Sequence, residues 1–167
     1  WKDLSQILLD TAISSGTIIF IIGSATAFSW IIAMEGIPES VTSFILSITQ
    51  NPYMIIFLLN IILLVLGMFM EALSVLTITV PFLMPLSTAV GLNPVHLGVM
   101  VVLNLMIGLS TPPVGMSLFV VSQVGKVKLE KVYKAILPFL VPLIAVLMIV
   151  SFFPDTVLFL PNLVFGR

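Results

Sequence analysis

Fifty-four consecutive residues, Ala72 to Gly125, carry no charged side chain. Soluble domains place a charge at about one position in four, so a tract this long needs a solvent other than water. Three shorter tracts accompany it: 24 uncharged residues between Asp10 and Glu35, 31 between Glu39 and Glu71, and 20 between Lys134 and Asp155. A helix crosses the hydrocarbon core with roughly 20 apolar residues, and helices and closed barrels alone satisfy every backbone group there. The tracts therefore hold about five or six membrane-crossing or membrane-entering helices. The chain reads as an all-α integral membrane protein embedded in a lipid bilayer. A composition of 60% hydrophobic and 8% charged residues, with a mean hydropathy of +1.30, agrees.

Several function classes fall away. Six basic residues against seven acidic ones leave a net charge of −1, without the basic stripe that nucleic acid requires. The first tract is too long for the apolar core of a signal peptide, and similar tracts follow it. Cysteine is absent, which removes disulfides and thiol catalysis. No metalloprotease, nucleophile-elbow or phosphate-loop motif is present, so an enzyme is not expected. The nine methionines read as core filler. The opening on Trp1 leads us to expect a piece of a longer polypeptide.

Five stretches follow along the chain. Residues 1–35 hold a spanning helix, from about Thr11 to Met34, that leaves the membrane at Trp30 and a Gly36-Ile37-Pro38 break. Its Gly16, Gly23 and Ala27 share a face suited to close helix contact. Residues 36–51 form an amphipathic surface helix, with Val41, Phe44, Ile45 and Ile48 on one side and Pro38 in the first turn. Residues 52–91 are two apolar limbs joined at Gly67-Met68-Phe69-Met70-Glu71, too short and apolar for an aqueous loop. They form either two spans with a tight turn or a re-entrant hairpin whose tip lies at membrane depth, which is tolerated only inside protein or beside a watery cavity. Pro81 and Pro85 free the carbonyls of Thr77 and Pro81, enough to kink the second limb. Residues 93–125 form a discontinuous helix, capped by Asn93 and Pro94 and broken at Gly108-Leu109-Ser110-Thr111-Pro112-Pro113-Val114-Gly115. In residues 126–167, Lys126, Lys128, Lys131 and Lys134 mark a cytoplasmic turn. A last spanning helix, about Val132 to Phe153, then leads to an external tail.

The break carries the chemistry. Pro112 and Pro113 cannot donate to the carbonyls of Gly108 and Leu109, and Pro112 pushes Thr111 out of the helical region. Two oxygens are expected to lack helical partners at membrane depth, with the Ser110 and Thr111 hydroxyls beside them. Four hard, uncharged oxygens suit a dehydrated sodium ion, so Gly108, Leu109, Ser110 and Thr111 are the expected ligands. The half-helix ending at Ile107 turns its negative end toward the site, and the one beginning near Gly115 turns its positive end. The same break therefore accommodates an anionic substrate, with Asn104, Ser110 and Gly115 as candidate contacts. The alternative is a kinked helix repaired by its own hydroxyls.

Glu71 is the one carboxylate deep in the apolar region. It reads as an ion ligand, proton carrier or counter-charge, or as a cap on the limb that follows. His96, one turn into its helix, reads as a wetted interfacial side chain. An intramembrane enzyme using Glu71 with His96 would lack a nucleophile.

Taken together, Gly67-Met68-Phe69-Met70-Glu71, Pro81, Pro85, Gly91-Leu92-Asn93-Pro94-Val95-His96-Leu97-Gly98 and above all Gly108 to Gly115 resemble the C-terminal half of the large membrane subunit of tripartite ATP-independent periplasmic (TRAP) transporters. The resemblance extends over nearly the whole chain, including Phe153-Pro154 and Leu160-Pro161. It implies an ion-transporter fold of two inverted repeats, each with a re-entrant hairpin and a broken helix, working as a sodium-coupled elevator in the bacterial inner membrane. It implies organic-acid import, with sialic acid and C4-dicarboxylates as leading substrates. The implied partners are a soluble periplasmic binding protein, a small four-helix membrane subunit and the remaining N-terminal half of the large subunit. Carried over here, Pro52 to Val90 is the hairpin, Gly67 to Glu71 its tip, and Gly108 to Gly115 the unwound segment, with sodium between them. A non-transporting scaffold subunit, whose broken helix only packs against partners, is the competing expectation.

Overall fold

The computed structural model describes residues 2–165, so Trp1 lies outside them; among the described residues it is all-helical, with no strand. Helix α1 runs Lys2–Met34, α2 Ile37–Ile48, α3 Pro52–Phe69, α4 Ala72–Ala89, α5 Pro94–Leu109, α6 Met116–Gly125, α7 Leu129–Phe152 and α8 Asp155–Phe165. Local chemistry sets most of these boundaries. Asn51 and Asn93 accept the amides of Tyr53 and Val95 as N-caps, each followed by a proline whose missing N–H costs nothing there. Gly36, at φ 64°, turns the chain from α1 into α2. Prolines inside α4 (Pro81, Pro85) and α7 (Pro138, Pro142) leave each helix continuous. The segment after Pro154, expected as a tail, is helix α8, with Asp155 in its first turn.

Helix α5 is the centre of the fold. Its buried Leu97, Met100, Val101 and Leu105 pack with Ile55, Leu59 and Leu63 of α3 and with Val75, Leu83 and Leu86 of α4. On its other side Ile107 meets Leu140 and Leu147 of α7. Asn60 of α3 bonds Asn104 of α5, and Gly67 meets Gly108 further along, so α3 and α5 run parallel. Helix α7 runs against them, since its Val150 carbonyl reaches His96 near the start of α5 while its Leu140 packs with Ile107 near the end of α5. His96 is 1% exposed, its Nε2 2.7 Å from the Val150 oxygen. The interfacial reading of this residue is therefore corrected: α7 covers it and supplies a backbone partner in place of water.

Outside this core the surface is apolar. Phe20, Phe44, Ile48, Val120, Phe139 and Phe159 are all exposed, as suits a molecule whose solvent is lipid. Among the described residues three helices, α3, α4 and α7, are long and apolar enough to cross a membrane. The face of α2 that packs inward carries Ile45 and Leu46, while Phe44 and Ile48 of the expected apolar stripe face out; the Val41 side chain lies outside the described residues. The small residues of α1 do not make the expected close contact with described residues: a Cβ on Gly16 or Gly23 would meet nothing within 4 Å, and Ala27 is exposed.

Candidate functional site

The joint between α3 and α4 is two residues long. Met70 and Glu71 are both extended, with φ −123° and −68°, and the Met70 N–H still bonds the Leu66 carbonyl. The Glu71 carboxylate turns onto the start of α4, accepting the amides of Leu73 at 3.0 Å and Ser74 at 3.1 Å. A negative charge at a helix N-terminus is favoured by the helix dipole. Of the two roles open to Glu71, the geometry is that of the cap.

The break is also two turns of local chemistry. The Ser110 N–H bonds the Ile107 carbonyl and the Thr111 N–H bonds that of Gly108, so α5 tightens before it stops. A cis bond joins Pro112 to Pro113, and Gly115, at φ 56°, leads the chain into α6. A Cβ at Gly115 would stand 2.9 Å from Leu118 Cδ1 and 3.1 Å from the Thr111 carbonyl oxygen, so glycine is required there both by φ and by space.

The expectation of two partnerless carbonyls is corrected. Gly108 O accepts the Thr111 amide at 2.9 Å, and Leu109 O accepts the Ser117 hydroxyl at 2.8 Å. Ser117 Oγ also lies 3.2 Å from Ser110 Oγ, and the Thr111 hydroxyl donates to Ile107 O at 2.6 Å. The reason is that proline removes only the donor four residues on; a turn amide and a hydroxyl across the gap are free to replace it. Each carbonyl keeps a second lone pair, and each hydroxyl keeps acceptor capacity. The result is a cluster of neutral oxygens held by weak, local donors at the negative end of α5. Such a donor set fits a hard monovalent cation and not a transition metal, and among the described residues no group of three His, Cys, Asp or Glu side chains offers another metal site.

The hairpin joint lies on this cluster. Gly67 and Gly108 face each other so closely that a Cβ on Gly108 would fall 2.8 Å from Gly67 Cα and 3.1 Å from the Leu64 carbonyl oxygen. The Gly115 N–H donates to the Met68 carbonyl across 3.3 Å. Tip and break, 41 residues apart between Gly67 and Gly108, thus form one site.

Residues 1–156 match the family model of the tripartite ATP-independent periplasmic transporter, DctM component. The chain belongs to this family. It is 44% identical over 161 residues to the sialic acid TRAP transporter large permease protein SiaM of Vibrio cholerae, covering 96% of this chain and 38% of that protein. It is 36% identical over 162 residues to the C4-dicarboxylate TRAP transporter large permease protein DctM of Rhodobacter capsulatus (97% and 37%). It is 38% identical over 152 residues to the isethionate TRAP transporter permease protein DctMQ of Oleidesulfovibrio alaskensis (91% and 24%). The chain thus spans less than two-fifths of the length of each of these relatives.

Within this DctM-family chain the expected site residues divide into two groups. Gly67 and Met68 of the tip, with Gly108, Leu109, Ser110, Thr111 and Gly115 of the break, come together. Phe69 is exposed, Met70 packs against the core, and Glu71 is occupied with α4. Asn104 is fully buried one turn before Gly108, where its Nδ2 donates to Asn60 O at 3.0 Å and Asn60 Oδ1 at 2.7 Å. Its own Oδ1 has no partner. Asn60, Ser117, Tyr133 and Ser151 escaped the sequence reading. A lone asparagine in an apolar limb is a legible signal for Asn60, because an amide in hydrocarbon needs a partner; Ser117 and Tyr133 carry none.

Proposed function

We propose that the chain is part of the large permease of a TRAP transporter and that the contact between hairpin tip and helix break holds the coupling sodium ion. The observation that carries this reading is the Gly67–Gly108 approach, which brings the hairpin tip onto the break that holds Gly108, Leu109, Ser110 and Thr111. Sodium, when bound, supplies positive charge beside the C-terminal, negative end of α5 and the neutral oxygens gathered there. An anionic substrate is favoured beside Gly115, where α6 begins, with the Ser110 hydroxyl across the break as a donor; Asn104 holds α5 on α3.

The same contact supports a re-entrant hairpin. Helices α5 and α6, with 16 and 10 residues, extend about 24 and 15 Å, so together with the break they make one span interrupted in its interior. A tip resting on that interruption sits at its depth. In this reading α3 and α5 begin on the periplasmic side, the lysine turn at 126–134 is cytoplasmic, and α7 returns to a periplasmic C-terminus. The substrate is an organic acid, sialic acid or a C4-dicarboxylate, as named for relatives. It is delivered by a periplasmic binding protein, with a small four-helix subunit and the other inverted repeat completing an inner-membrane elevator.

One observation favours the scaffold reading: every donor lost at the break has been replaced locally. Thr111→Ala in the intact permease, reconstituted with its partners, separates the two. A sodium ligand lost at about 1.4 kcal/mol raises half-saturating sodium roughly tenfold, measured as uptake against sodium concentration. Unchanged sodium dependence with lowered assembly would leave the scaffold reading standing.

A further inference from the structure

We propose that Tyr133 is a positioning residue of the transport site, which aims the Gly115 N–H at the hairpin tip by holding the other end of the same peptide plane. This rests on the functional reading above for its effect on transport, though not for its geometry. Tyr133 lies in the second turn of α7, and its one O–H is shared between two acceptors, Pro113 O at 2.7 Å and Val114 O at 3.1 Å. The Val114 carbonyl and the Gly115 amide belong to one peptide unit. That unit is trans, the single cis bond among the described residues being Pro112–Pro113, so its C=O and N–H point in opposite directions and rotate together. With the oxygen drawn toward α7, the hydrogen is directed away from it, onto the Met68 carbonyl at 3.3 Å.

The grip is needed because little else fixes this plane. Val114 follows two prolines without N–H groups, and Gly115 occupies a left-handed conformation. Downstream the chain is fixed by the Leu118 N–H on the Gly115 carbonyl at 2.8 Å. Upstream of that anchor Tyr133 is the side chain that grips the peptide, and the bond it supports is long for N–H···O. A bond this long is sensitive to the tilt of its donor peptide. Tyr133 therefore links the start of α7 to closure of the tip over the oxygen cluster, and no glycine or proline of the break does this work.

Tyr133→Phe removes one oxygen and keeps the ring, which limits the risk of misfolding. Two measurements on the full-length permease with its partners test the idea. The first is amide hydrogen exchange in detergent. The Gly115 amide is expected to exchange about tenfold faster in the variant, with α5 unchanged; equal exchange at Gly115 overturns the proposal. The second is sodium-dependent uptake of radiolabelled sialic acid and succinate into proteoliposomes. Half-saturating sodium is expected to rise roughly three- to tenfold with the maximal rate per folded transporter within about twofold. A fall in maximal rate alone, at unchanged half-saturation, marks a merely structural residue and overturns it. If wild-type uptake ignores sodium, the functional reading fails, while hydrogen exchange still decides whether Tyr133 orients the peptide.

Discussion

Two glycines on one helix illustrate how position decides a residue's worth. Gly98 and Gly108 both lie in α5, yet a Cβ on Gly98 meets nothing within 4 Å, while one on Gly108 meets backbone atoms of Gly67 at 2.8 and 2.9 Å. Backbone cannot swing aside as a side-chain end can. Gly108→Ala is expected to force tip and break apart, costing about 1–3 kcal/mol and raising half-saturating sodium. Gly98→Ala is expected to stabilise by about 0.4–1 kcal/mol through a less flexible unfolded chain. Thermal unfolding of both variants in detergent, beside sodium titrations of uptake, checks the opposite signs. The doubled proline gave away the location of the break, but it did not reveal that Thr111 and Ser117 would take up the Gly108 and Leu109 carbonyls. That replacement depends on how the chain turns back after Gly115.

Among the elements, the hairpin is held more by α5 than by itself. Helix α3 packs chiefly on α5, while its contact with α4 is slight. The buried Asn60 ties the two parallel helices, donating to Ser151 at 2.9 Å while accepting from Asn104 at 2.7 Å. Helix α4 begins instead on its own carboxylate. Glu71→Ala removes the acceptor for two amides and is expected to lower stability by about 0.5–2 kcal/mol, read as a fall in melting temperature. Half-saturating sodium should stay at the wild-type value, because the carboxylate faces the α4 amides and not the break; a rise would return Glu71 to the ion site. The caps at Asn51 and Asn93 were legible because a cap is decided within three residues. The Asn60–Asn104 bond spans 44 positions and was not.

At the scale of the whole molecule, many large apolar side chains are exposed, so burial alone says little about which face meets lipid and which meets the rest of the permease. Topology is testable through the absence of native cysteine. With any cysteine outside these 167 residues first replaced in the intact protein, Lys128→Cys is expected to react with a membrane-impermeant thiol reagent only from the cytoplasmic side. Asn93→Cys is expected to react only from the periplasmic side, and labelling of both from one side would overturn the single interrupted span of α5 and α6. The amino-acid order alone determined that the chain lives in lipid, where α2, α3, α4 and α5 start, and where α5 must stop, because charge, caps and missing N–H groups act within a turn or two. Only the tertiary structure decided that the tip meets the break, that His96 is buried, that Asn60 pairs with Asn104, and that a phenol from α7 holds the Val114 carbonyl. Each of those is a contact between distant segments, fixed by packing distance and by the need of every polar group in hydrocarbon to find a partner wherever the fold supplies one.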